Sequence, residues 1–174
     1  RRLYAAGMPD EALRAIGLTV GSDVPFCVSG GTSLAEGRGE RLTDLPPLPV
    51  CQIVLCKPDF GISTPELFVL ADGAVLSKRP DIAGLTAALQ GGELTGVTDR
   101  LCNVFEEFLP ERYQEVFRIK EIRLAHGALN AAMSGSGPTV YGIFESAAEA
   151  QRAAEVLKKS YQQTYVAKPV KKLV

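Results

Sequence analysis

Residues 131–144 read AAMSGSGPTVYGIF, and how this stretch folds decides the rest. Gly135-Ser136-Gly137 separates two short apolar runs, "ALNAAM" (128–133) and "TVYGIFE" (139–145), so two strands joined by a tight loop are expected. Working outward, "VCQIVLC" (50–56) is nearly continuous apolar sequence between prolines, the pattern of a buried strand. On the other side, "SAAEAQRAAEVLKKSY" (146–161) opens on a capping box, Ser146 with Glu149. Its apolar positions Ala147, Ala150, Ala154 and Leu157 predict a helix, and "QQTYVAKPV" (162–170) predicts a last strand.

Helical patterns fill the interval between the first strand and the second. They are "ISTPELFVLAD" (62–72), "PDIAGLTAALQGG" (80–92) and "VTDRLCNVFEEFLPERYQEVFRIKEIRLAHG" (97–127), the last closing at Gly127. The first of these has two competing starts: Thr64 as cap with Pro65 in the first position, or Ser63 as cap in a box with Glu66. The resulting order of strand, helices, strand, strand, helix, strand is the split β-α-β-β-α-β pattern of an α+β, ferredoxin-like domain with an enlarged first crossover.

Upstream, "MPDEALRAIGL" (8–18) predicts a short helix, with Pro9 near its first position, Asp10 and Glu11 in the first turn and Gly17 near its end. "VPFCVSGGTSLAEGRGERL" (24–42) predicts a hairpin around Ser29-Gly30-Gly31. The prolines of "DLPPLP" (44–49) interrupt both kinds of regular structure, which places a domain boundary there, with units 1–48 and 49–174. Arg1 is no translation start, since the first methionine is Met8, so the sequence is expected to be part of a longer one.

Charge and composition exclude several functions. Lys and Arg (19) nearly balance Asp and Glu (20), a net charge of −1, and no aromatics interleave with basic residues, which argues against nucleic-acid binding. The absence of a long apolar run argues against a membrane span and for a cytoplasmic protein. Cys27, Cys51, Cys56 and Cys102 form no C-x-x-C pair and His126 is the sole histidine, so a structural zinc site lacks a ligand set. Cys51 and Cys56 are expected as buried thiols, and His126, just before Gly127, as a group meeting the last carbonyls of a helix.

Two stretches carry possible chemistry, each with a plainer reading beside it. The Gly135-Ser136-Gly137 loop lets backbone N–H groups approach an anion, with Ser134 or Ser136 adding a hydroxyl, but taken alone a tight turn between strands is the favoured reading. Asp23, in "GSDVPF" (21–26) between a helix and a strand, either accepts a proton from a substrate hydroxyl or bonds its own backbone. "EGRGE" (36–40) and the tail "AKPVKKLV" (167–174) read as a hairpin connection and a solvated terminus.

"GLTVGSDVPFCVSGGTSLAEGRGERL" (17–42), "PDFGISTPELF" (58–68) and "MSGSGPTVYGIF" (133–144) occur in this order and spacing. Together they resemble the carboxyl-terminal part of the 4-diphosphocytidyl-2-C-methyl-D-erythritol kinase family of the GHMP superfamily, from Leu13 to the end. The resemblance implies an enzyme that uses ATP and Mg²⁺ to phosphorylate the 2-hydroxyl of a small-molecule substrate in non-mevalonate isoprenoid synthesis. It implies Asp23 as the catalytic base. It places Gly135, Ser136 and Gly137 near the nucleotide phosphates, Phe68 against the cytosine ring and Thr64 beside it, although Phe68 on a helix is otherwise a core position. It also places the family's long phosphate loop, its amino-terminal lysine, and the histidine and tyrosine of the substrate pocket before residue 1, so no turnover is expected from this chain alone. Val104 departs from the family, which often has an acid after the asparagine. The alternatives are another GHMP kinase, acting on homoserine, mevalonate or a sugar, and a ferredoxin-like binding module without catalysis.

Overall fold

The computed structural model describes residues 7–170, so the readings of Arg1 and of the last four tail residues lie outside it. The chain divides into two compact units, one running to Pro47 and taking in Val170, the other Leu48–Pro169.

In the first unit, α1 (Asp10–Val20) starts after Pro9 with Asp10 and Glu11 in its first turn, where acids complement the helix dipole. Gly17 does not end it. It lies inside the helix at its closest approach to α2 (Val24–Ser29), where a Cβ would stand 2.9 Å from Val24 Cγ1. The hairpin expected around residues 29–31 is displaced: Val24–Ser29 is helical, and Gly30 (φ 63°) ends that helix. The hairpin is β1 (Thr32–Glu36) against β2 (Arg41–Leu45), antiparallel, with Thr32 opposite Leu45 and Glu36 opposite Arg41. A six-residue helix is too short to display a 3.6-residue period, and its apolar content reads as strand.

The second unit is built on a four-stranded antiparallel sheet in the order β4-β5-β3-β6. Its strands are β3 (Gln52–Lys57), β4 (Asn130–Met133), β5 (Val140–Phe144) and β6 (Gln163–Ala167). The crossover from β3 to β4 carries α3 (Thr64–Asp72), α4 (Ile82–Gly91), α5 (Leu94–Thr98) and α6 (Glu115–Ala125). α7 (Ala147–Lys158) joins β5 to β6. The expected strand-helix order is present, and the fold is α+β. The long third helical pattern is not one helix: two short 3-10 segments, Val104–Phe108 and Glu111–Tyr113, separate α5 from α6.

α6 packs on β4 and β5, and α7 on β3, β5 and β6, closing a core of Val54, Cys56, Leu67, Ile119, Phe144 and Leu157. Burying side chains of this size contributes about 1.5–3 kcal/mol each. In α7, Ala150, Ala154 and Leu157 face the core as expected, whereas Ala147 is exposed and Ala153 takes its place. Cys51 and Cys56 are buried, and His126 Nδ1 lies 2.7 Å from the Ile122 carbonyl at the end of α6. The sequence gives no sign of Arg123, which is fully buried and donates to the carbonyls of Val54 (3.3 Å), Ile119 (3.1 Å) and Val140 (2.9 Å). Gly142 makes room for it, since a Cβ there would stand 2.5 Å from Arg123 Cδ. Among the described residues no helix is long and apolar enough to cross a membrane.

Candidate functional site

The loop between β4 and β5 is a tight turn with a specific interior. The Ser134 N–H donates to the Thr139 carbonyl and the Gly137 N–H to the Ser134 carbonyl, both at 2.8 Å. Gly135 (φ 55°) and Gly137 (φ 77°) hold left-handed conformations, and the Gly137-Pro138 bond is cis. A Cβ on Gly137 would collide with Met133 Sδ, whereas one on Gly135 would meet nothing within 4 Å. The loop is thus packed at Gly137 and open at Gly135. Among the described residues the N–H groups of Gly135 and Ser136 have no backbone acceptor, so both can donate to an approaching anion.

The loop is held from behind by Asn103 and Glu106, which no local pattern marks as its partners. Asn103 Nδ2 donates to the carbonyls of Met133 and Gly135, each at 2.8 Å, while its Oδ1 accepts from the Phe105 N–H at 3.0 Å. Glu106 Oε1 accepts from the Met133 N–H at 2.6 Å, and its other oxygen pairs with Lys120. The 3-10 segment Val104–Phe108 therefore serves as a bracket for the loop.

Thr64 and Phe68 lie one turn apart on α3. Ser63 is the cap of that helix, its Oγ accepting from the Glu66 N–H at 3.4 Å, which decides between the two starts. Thr64 is thereby left to bond outward, and its hydroxyl lies 2.7 Å from that of Ser136. Phe68 is no core residue: it is 55% exposed, and its ring meets Phe105 edge to face at 5.3 Å. Phe105 meets Phe108 in the same way at 5.8 Å. A cleft of ≈ 360 Å³ opens between the bracket and the loop, lined by Asn103, Phe105, Ser134, Gly135 and Tyr141. Burial raises the phenol of Tyr141 above its ordinary value, and the charge of Glu106 adds to the shift. An exposed donor loop beside an exposed aromatic edge suits a ligand with an anionic group and a flat ring.

Asp23 belongs to the first unit. It lies between two helices rather than between a helix and a strand, is exposed, and forms no side-chain cap for the α2 that it precedes. The turn of the β1–β2 hairpin backs it: at Gly39 (φ 108°) a Cβ would stand 2.6 Å from the Ser22 carbonyl oxygen. The stretch "EGRGE" is thus a hairpin connection, as expected, with the added role of supporting the Asp23 turn. Four of the other site residues meet in the second unit, Thr64 against Ser136 and Phe68 against the bracket that holds Gly135. Among the described residues no group of three or more His, Cys, Asp or Glu is arranged to hold a metal.

The family model described as GHMP kinases C terminal matches residues 85–163, which take in α5, α6, β4, β5, α7 and the glycine loop between β4 and β5. The chain is similar to curated 4-diphosphocytidyl-2-C-methyl-D-erythritol kinases. That of Clostridium novyi (strain NT) is 37% identical over 170 residues, 98% of this chain and 61% of the relative. That of Enterococcus faecalis (strain ATCC 700802 / V583) is 41% identical over 171 residues, 98% of this chain and 60% of the relative. The chain therefore spans about three fifths of the length of these relatives. The crystal structure of a 4-(cytidine 5'-diphospho)-2C-methyl-D-erythritol kinase superposes with a TM-score of 0.76 at 28% identity, over 97% of this chain and 59% of that one. A homoserine kinase from Cytophaga hutchinsonii shares the fold, with a TM-score of 0.67 at 20% identity over 98% of this chain and 61% of its own.

Proposed function

We propose that this chain is the carboxyl-terminal part of an ATP-dependent kinase that phosphorylates the 2-hydroxyl of 4-diphosphocytidyl-2-C-methyl-D-erythritol, in the cytoplasm, as a step of isoprenoid synthesis. On this reading residues 1–48 are the end of the amino-terminal kinase domain and residues 49–174 the whole carboxyl-terminal domain. Asp23 accepts the proton of the attacking hydroxyl. Gly135, Ser136 and Gly137 face the nucleotide phosphates, Phe68 stacks on the cytosine and Thr64 lies at the cytidyl end. Phosphoryl transfer of this kind needs alignment and charge stabilisation more than covalent chemistry from the protein. Mg²⁺, when bound with ATP, would neutralise the phosphate charge. It needs one or two carboxylates besides the phosphate oxygens, a smaller demand than a three-ligand protein cluster.

The observation that carries the reading is the Thr64–Ser136 hydrogen bond at 2.7 Å, with Phe68 exposed one turn further along the same helix. It sets an anion-ready loop and a stacking ring side by side, as a substrate with both phosphate and a base requires.

The test is a phosphoryl-transfer assay on the protein encoded by the complete reading frame. Asp23→Asn is expected to lower kcat by about 10²–10⁴-fold. Phe68→Ala is expected to raise the KM for the cytidyl substrate and leave that for ATP near its starting value. Competition by cytidine nucleotides distinguishes this substrate from homoserine, mevalonate or a sugar. Full activity in Asp23→Asn, or indifference to cytidine nucleotides, overturns the assignment.

A further inference from the structure

Contacts across the second unit close into a ring. Gly135 accepts from Asn103 Nδ2, Asn103 Oδ1 accepts from the Phe105 N–H, and Phe105 meets Phe68 edge to face at 5.3 Å. One turn of α3 leads from Phe68 back to Thr64, and Thr64 bonds Ser136, the neighbour of Gly135. Each joint ties the loop and the aromatic face to each other by a different route. The two routes differ in rigidity: the Thr64–Ser136 joint is exposed, whereas Asn103 is half-buried and makes three hydrogen bonds of 2.8–3.0 Å.

From this ring we infer that Asn103 is a positioning residue, which fixes the separation and angle between the anion-binding edge of the glycine loop and the ring of Phe68. The inference rests on the function proposed above for its consequence, but not for its geometry. Nδ2 is the atom that matters. It is shared between the carbonyl of Met133, at the end of β4, and that of Gly135 in the loop, so the loop cannot tilt away from the strand without breaking one of the bonds, while Oδ1 fixes the start of the segment that carries Phe105. A substrate that spans both features pays less to bind when their spacing is preset.

The discriminating variant is Asn103→Asp. It keeps an oxygen to accept from Phe105 but cannot donate to the Met133 and Gly135 carbonyls when ionised. In ¹H–¹⁵N and aromatic ¹H–¹³C spectra of this chain, the variant is expected to shift the Gly135 and Gly137 amides and the ring signals of Phe68, a residue that Asn103 does not touch. Thr64→Val, at an exposed position, opens the ring at its far joint and is expected to shift the side-chain NH₂ signals of Asn103 without unfolding the chain. It decides the matter should Asn103→Asp fail to fold. Unmoved glycine amides in Asn103→Asp overturn the inference. Glycine amides that move while the Phe68 ring stays fixed reduce Asn103 to a local staple and also overturn it, as do unmoved Asn103 signals in Thr64→Val.

Titration of the unsubstituted chain with cytidine diphosphate separates this inference from the functional reading. No shift at Phe68 on adding the nucleotide, with the variant effects intact, counts against the cytidyl site and leaves the positioning role standing. A shift at Phe68 that weakens at least several-fold in Asn103→Asp supports both.

Discussion

Gly135 and Gly137 stand two residues apart with φ of 55° and 77°, yet replacing them is expected to have unequal effects. Alanine at either meets the steric cost of the left-handed region, about 1–2 kcal/mol. At Gly137 the new methyl also runs into Met133 and stands 3.2 Å from Ile62 Cδ1, so overpacking adds about 1–3 kcal/mol. Gly135→Ala is therefore expected to move the urea midpoint slightly, and Gly137→Ala strongly; equal shifts would contradict the packing described for the loop. At this scale the sequence was legible in part. Glycines flanking a serine announce a turn, but nothing local separates the glycine that must be small from the one that must be open. Asn103 and Glu106 were illegible for a related reason: the carbonyls and N–H that they satisfy lie about thirty residues further along the chain.

At the scale of the element, the caps explain where helices start and what is left over. Ser63 and Ser146 each accept from the N–H three residues ahead, at 3.4 Å in both cases. Ser63→Ala is expected to cost about 1 kcal/mol, whereas Thr64→Val, which removes no cap, is expected to cost less than half of that. The comparison is made by thermal or urea denaturation, and a larger loss in Thr64→Val would reassign the start of α3. The sequence offered both residues as caps, and both are oxygen-bearing residues ahead of an apolar run. The choice depends on whether Pro65 takes the first or the second helical position, which either sequence reading allows. The misplaced hairpin has a similar origin. Gly30 and Gly31, with φ of 63° and 78°, could turn a hairpin or end a helix, and six residues are too few for the periodicity to choose. The break between α5 and α6 was hidden because Asn103, in an extended conformation (φ −124°, ψ 111°), spends its side chain on another element.

For the whole molecule, the pattern of strands and helices was the most legible feature, because each strand of the second unit is bounded by turn residues and each crossover is long enough to be helical. The burial of ionisable groups was not, and it has a measurable consequence. Burial pushes the thiols of Cys51 and Cys56 above their ordinary value of 9.0 and the phenol of Tyr141 above 10.0. Tyr161 is also raised, by burial first and then by its bond to Glu115. In the unfolded chain these groups release protons as pH passes 9 and then 10, while in the folded chain they keep them. The native state thus binds more protons there, and stability is lost as pH rises. Arg123, lowered to about 10 by burial, acts in the opposite sense, but only from about pH 10 upward. The urea midpoint is expected to be nearly level from about pH 6 to 8 and to fall between about pH 9 and 10. A midpoint that holds level to pH 10 would mean that these thiols and phenols are not sequestered.

The pairing of β3 with β6 sets Ile53 directly opposite Ala167. The first and last strands of the second unit are therefore neighbours, and antiparallel, so the backbone enters this sheet beside the point where it leaves it, at a pair of residues about 5 Å apart. A module with adjoining doors can be spliced into a surface loop of a host protein, or have its old ends joined and new ones cut elsewhere, at little cost in loop-closure entropy. The sheet order that places the glycine loop between β4 and β5 also sets the start of β3 beside the end of β6, the strand arrangement such a splice requires.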